Sequence, residues 1–176
     1  YEPYEIVQRE VHEHLPVGSP IFNIGIKCRP LSGFDRLKAN MESYLAGSVI
    51  SDPSAPFCKK LMDEGLINST FGFEVFDGDG FFTLIFSGES SDPKRVLSEL
   101  IDEIERVKTQ GLDRQLFDNI KKSTYGSAIM ESNNAEAVAG NLISAFMSGV
   151  DPYDSIKVLS EVTYEDAQKC VNEHFD

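Results

Sequence analysis

The chain has 176 residues, enough for one domain with a sizeable buried core. Apolar residues make up 41% and charged residues 26%, a balance that argues against a disordered chain. Sixteen Lys and Arg against 29 Asp and Glu give a net charge of −13, so no basic footprint exists for nucleic-acid phosphates or anionic membrane surfaces.

Residues 4 to 11 read as a strand, and residues 20 to 28 as a second. In the latter, Ile21 or Phe22, Ile24 and Ile26 alternate with polar or small residues. Pro16 and Gly18 suit the connection between them. A helix follows Ser32, which can cap it with Asp35 three positions on; Leu37, Met41, Tyr44, Leu45 and Ser48 form its mostly apolar stripe. The segment from Ser51 to Pro56 breaks it. A shorter helix through Cys58, Leu61 and Met62 stops at Gly65. Two aromatic-rich strands follow, Thr70 to Phe76 and Phe81 to Ser87. Asp77-Gly78-Asp79-Gly80 joins them, with glycine for the positive φ of the turn.

The rest is helical. Asp92-Pro93 opens a helix with Leu97, Leu100, Ile101, Ile104 and Val107 at helical spacing, ending at Gly111. Asp113 caps the next, which carries Leu116, Phe117, Ile120 and Ala128. Another runs through Val138, Leu142, Ala145 and Phe146 to Gly149. Asp151-Pro152 repeats the cap-and-proline device, and Thr163 to Asp166 opens a final helix reaching Cys170 and Val171. The order β-β-α-α-β-β followed by helices predicts an α+β fold, a mostly antiparallel sheet with helices packed on one face.

Cys28, Cys58 and Cys170 are widely spaced, with no CxxC pair. That speaks against a disulfide framework and for a reducing compartment, so a cytoplasmic location is expected. No apolar run approaches the roughly 18 residues of a membrane span. The chain starts at Tyr1 and reads as part of something longer.

Candidate chemistry is sparse. His12-Glu13-His14 on an extended strand would place both imidazoles on one face, but a zinc site needs a third ligand from elsewhere; the plainer reading is a solvated hairpin end. Glu10-Val-His-Glu13-His14 lacks a leading histidine. Cys170-Val-Asn-Glu173-His174 has the spacing of an inverted zinc motif with cysteine leading, so positions 170 and 174 could share a helix face, with Glu173 as a base. Asp77-Gly-Asp79-Gly80 hints at a calcium loop but has Gly88 where an EF-hand needs glutamate. Lys59-Lys60 and Lys121-Lys122 read as helix-surface pairs. No nucleotide loop or nucleophile elbow is present. No catalytic, cofactor-binding or metal-ligating residue is assigned.

The passage Cys58-Lys-Lys-Leu-Met-Asp-Glu-Gly-Leu-Ile-Asn68, leading into Ser69-Thr-Phe-Gly-Phe-Glu-Val75, resembles the pitrilysin-like zinc peptidases, the group of insulysin and the mitochondrial processing peptidase. Further similar stretches follow in family order: Asp92-Pro93, Phe117 to Gly126, and Ser160 to Asp166. Pro20 to Lys27 is similar to the strand opening the family's later domains. The resemblance covers residues 20 to 176 and is greatest to the second, noncatalytic domain of a half, in the C-terminal part of a bacterial member.

It implies that zinc is held elsewhere, by the two histidines of H-x-x-E-H and a distal glutamate in a catalytic domain or subunit. No cofactor belongs to this chain. The family's substrate-holding arginine and tyrosine have no match here. The implied role is one wall of a chamber enclosing an unfolded peptide, with a sheet edge able to align it. Residues 1–176 are then a single noncatalytic domain, a fragment whose family pattern continues past Phe175-Asp176 towards another strand. An inactive paralogue serving as a scaffold subunit is the alternative.

Overall fold

A computed structural model describes residues 3–175. Strand β1 (Ile21–Cys28) is followed by helices α1 (Gly33–Ser51) and α2 (Pro56–Asp63), then strands β2 (Gly72–Gly78) and β3 (Phe81–Glu89). Helices α3 (Pro93–Gln110), α4 (Arg114–Glu131), α5 (Ala135–Ser148), α6 (Asp154–Glu161) and α7 (Tyr164–His174) complete it. The strands form one antiparallel sheet in the order β1-β3-β2, with Ile24 opposite Phe86 and Phe86 opposite Phe73. The predicted α+β fold is the one observed.

The pleat sends alternate side chains of β3 to opposite faces, and Phe82, Leu84 and Phe86 all point to the buried one. Phe22 and Cys28 of β1 lie on that face, so Phe22 rather than Ile21 begins the inward set. The layer α1, α3 and α7 packs against it: α1 over β2, α3 over β1, and α7 between the two helices. Each fully buried Phe or Leu here contributes about 1.5–3 kcal/mol. Phe71 precedes β2 yet is also buried, with its ring 6.3 Å from that of Phe86.

Local signals set most boundaries. Asp92 accepts from the Arg95 N–H, Asp113 from the Leu116 N–H, and Thr163 and Asp166 form a reciprocal capping box on α7. Gly65 and Gly149 take positive φ after α2 and α5, where a β-carbon would be strained.

Six expectations need correction. Residues 4 to 11 form no strand; they are exposed and make no ladder bonds, because no neighbouring backbone pairs with them. Ser32 precedes α1 without a side-chain cap bond. The buried side of α1 holds Ala39, Ser43, Leu45, Ala46, Gly47, Val49 and Ile50, while Tyr44 is exposed; small residues win because α1 presses closely on the sheet. In α3 the buried stripe is Val96, Leu100, Ile104 and Val107, while Leu97 and Ile101 sit on the flank. Helix α6 starts at Asp154, not at Pro152; Asp151 accepts from the Tyr153 N–H and so holds the preceding turn. In α5 only Ala145 is buried, and Phe146 is 87% exposed.

Candidate functional site

The sequence candidates do not converge. His12 lies on the exposed N-terminal segment with Nε2 2.8 Å from Glu10 Oε1. That bond, with Lys94 beside it, holds the Glu10 carboxyl below the usual range. On α7, Cys170 points inward and its Sγ lies 3.3 Å from Ser43 Oγ. Glu173 points to solvent, 3.7 Å from Lys169 Nζ, and His174 offers its backbone carbonyl to the Cys28 thiol at 3.6 Å. Cys170 and Glu173, three residues apart, thus point to opposite sides of α7 and do not converge on one ion. Among the described residues no group of three or more His, Cys, Asp or Glu is placed to hold a metal ion. These residues therefore do not fit the zinc site that the peptidase resemblance implies for a catalytic domain.

The three cysteines are free and buried. Burial pushes the thiols of Cys58 and Cys170 up to about 12 and that of Cys28 to about 11. A reactive cysteine needs the opposite, a thiolate favoured near neutrality.

The Asp77–Gly80 turn is committed to another task. Arg36, near the start of α1, is almost fully buried. Its Nε lies 3.3 Å from Asp77 Oδ2, its Nη1 donates to Asp79 Oδ1 at 2.9 Å, and its Nη2 donates to Ser148 Oγ at 2.8 Å. Asn40 Nδ2 donates to the other Asp77 oxygen at 2.8 Å. One guanidinium thus ties α1, the β2–β3 turn and the end of α5 together, using its planar fork of donors. The carboxylates that hinted at calcium are neutralised by arginine. No local pattern in the sequence links position 36 to positions 77, 79 and 148.

Beside this network lies a cleft of about 200 Å³ between α1 and the α5–α6 corner. Its polar lining is Arg36, Asn40, Asp77, Asn141, Ser144, Ser148, Asp151 and Ser155, with no histidine, cysteine or lysine. Such a wall can hydrogen-bond a polar chain, but it has no paired nucleophile and base. A smaller cleft between α1 and α7 sets Asp35, Glu42, Asp166 and Glu173 against Lys38 and Lys169. Burial pushes the Glu42 carboxyl upward against the opposing pull of Lys38, which lies 3.5 Å away.

Two lysines taken as surface pairs are structural. Lys121 Nζ donates to the carbonyls of Ser160 and Val162 at 2.9 and 2.6 Å, capping the end of α6 from α4. Lys60 Nζ donates to Glu99 at 2.6 Å, joining α2 to α3.

The family comparison finds a noncatalytic domain. The model of the peptidase M16 inactive domain matches residues 3–124, more than half of the chain. The chain belongs to the peptidase M16 inactive-domain family. This M16 domain is 21% identical over 174 residues to the uncharacterized zinc protease YmfH of Bacillus subtilis, covering 98% of this chain and 40% of that one. Its fold matches an M16-like peptidase from Alicyclobacillus acidocaldarius with a TM-score of 0.84, at 22% identity over 93% of this chain and 40% of that one. It also matches a structure described as the inactive peptidase domain of a zinc protease from Bordetella parapertussis, with a TM-score of 0.73, at 14% identity over 97% of this chain and 91% of that one. The M16 domain therefore spans about 40% of the length of the first two relatives.

Proposed function

We propose that residues 1–176 are a single noncatalytic domain of a longer bacterial zinc metallopeptidase, forming one wall of a chamber that encloses an unfolded peptide. The observation that carries this is the inactive-domain match over residues 3–124, in a chain that spans 40% of its zinc-protease relative. The division of labour follows from chemistry. Peptide hydrolysis needs a Lewis-acid centre and a water-activating base, and both belong to the catalytic domain in this reading. The wall contributes shape: it bounds the space a substrate can occupy and offers hydrogen-bonding groups such as those of the cleft beside Arg36. The three free, buried cysteines support a reducing location, the cytoplasm.

The test uses the purified chain and its full-length parent with an unstructured peptide and zinc. Cleavage is expected from the parent only, and a chelator should abolish it. Zinc-dependent cleavage by residues 1–176 alone, lost in Glu173→Gln, would sink the reading. A parent without H-x-x-E-H and without cleavage would favour the scaffold alternative.

A further inference from the structure

Helix α7 packs along α1, and a cleft of about 130 Å³ runs in their seam. Every residue that lines it belongs to these two helices. From α1 come the charges of Asp35, Lys38 and Glu42; from α7 come those of Asp166, Lys169 and Glu173. Ala39 and Cys170 line it as well, and both are buried, so one side of the cleft is dry. The charges do not balance, because four carboxylates face two ammonium groups. A carboxylate is disfavoured by loss of water and by like charges nearby, and favoured by cations.

The four carboxylates are not equivalent. Asp35 and Glu173 are exposed, and Glu173 pairs with Lys169 at 3.7 Å. Asp166 is held in place by the capping box: its Oδ2 accepts from the Thr163 backbone N–H at 2.9 Å and from the Thr163 hydroxyl at 2.7 Å. Those bonds favour its ionised form and keep its charge in the seam. Glu42 stands apart. Its side chain is 16% exposed, and its pair is Lys38 at 3.5 Å, on a lysine that is itself half exposed. Loss of water pushes its carboxyl above the ordinary 4.5, and the Asp166 charge pushes the same way against the pull of Lys38 and Lys169. Behind Glu42, its neighbour Ser43 is fully buried against the Cys170 thiol.

We infer that the α1–α7 seam is a proton-operated joint: a proton taken up at Glu42 relieves the crowding of carboxylates and holds α7 more firmly on α1. The proton comes from solvent and binds a Glu42 carboxylate oxygen, which lowers the seam's excess of negative charge by one. The folded chain binds this proton more tightly than the unfolded chain does. Its stabilising contribution is therefore complete below pH 4.5 and is lost as pH rises through the folded value. The effect reaches the sheet through α7. Cys170 and Val171 are buried, and the ring of Phe175, just past the helix, stacks 5.9 Å from Phe73 on β2. The joint does not depend on the peptidase reading.

The experiment is an NMR titration of the 176-residue protein and of Glu42→Gln between pH 7.5 and pH 4, following the side-chain carboxyl carbons and the backbone amides of α7. Glutamine keeps the size of the side chain and removes its titration. In the parent the Glu42 midpoint is expected above 4.5. The Lys169 and Cys170 amides should shift with that same midpoint, and the shift should be lost in the variant. Thermal melts give a second reading: Glu42→Gln should gain melting temperature relative to the parent as pH rises from 4 to 7.5. A Glu42 midpoint at or below 4.5 would overturn the inference. So would α7 amides that titrate alike in both proteins, or a melting difference that does not change with pH.

Discussion

The ring of Phe73 on β2 lies directly against Gly47 of α1, so that a Cβ at position 47 would overlap the ring edge. That contact sets the distance between helix and sheet. Gly47→Ala should lower stability by about 1–3 kcal/mol through overpacking, although alanine is the better helix former by about 1 kcal/mol. Urea unfolding of Gly47→Ala, Phe73→Leu and the double variant checks it: the smaller side chain should recover at least about 0.5 kcal/mol as coupling. Additive losses would mean that the ring and the glycine do not set the spacing.

Arg36 joins three elements from a nearly buried position, so its removal leaves the partly buried Asp77 without its cation. Arg36→Ala is expected to cost about 2–4 kcal/mol in chemical denaturation. Asp79→Asn should cost less than about 1 kcal/mol, because the Asp79 side chain is 90% exposed and its pair is screened. Similar losses for the two variants would contradict this ranking.

The buried thiols make stability sensitive to alkali. Their folded values lie near 11 and 12 against an ordinary 9.0, so between those limits the native state holds protons that the unfolded chain releases. Stability is therefore complete below pH 9 and falls as pH rises above it. Unfolding curves at pH 8 and pH 10 should show the drop, and Cys58→Ala/Cys170→Ala should flatten the slope. At pH 8 a thiol reagent should label the protein only after unfolding.

Thr163 and Asp166 cap each other's backbone groups, while Ser32 makes no side-chain cap bond. Thr163→Ala should cost about 1 kcal/mol and Ser32→Ala less than about 0.5 kcal/mol. Hydrogen bonds from the Thr163 side chain and backbone hold the Asp166 carboxyl below its ordinary 3.8. Its contribution is present above that value and is lost as pH falls through the lower folded value. A thermal-melt series from pH 6 to pH 2.5 in both proteins should show the difference shrinking with acid.

The candidate site was only partly legible. Residue types and spacing group no hydrolytic set in the sequence, and on α7 Cys170 is turned inward while Glu173 is turned outward. The Arg36 network was invisible, because its partners lie 41 to 112 residues away along the chain and no short motif records them.

Signals that act within one helical turn or one loop were decided by the sequence alone. The caps at Asp92, Asp113 and Thr163, the glycine stops at Gly65 and Gly149, and the β2–β3 turn depend only on nearby backbone. Tertiary structure decided which face each element buries. Val96 and Leu97 differ by about 100° around α3, and only the ion pairs to α2 and the sheet beneath choose between them. It also decided that residues 4 to 11 are no strand here, since a strand exists only where another backbone accepts its hydrogen bonds.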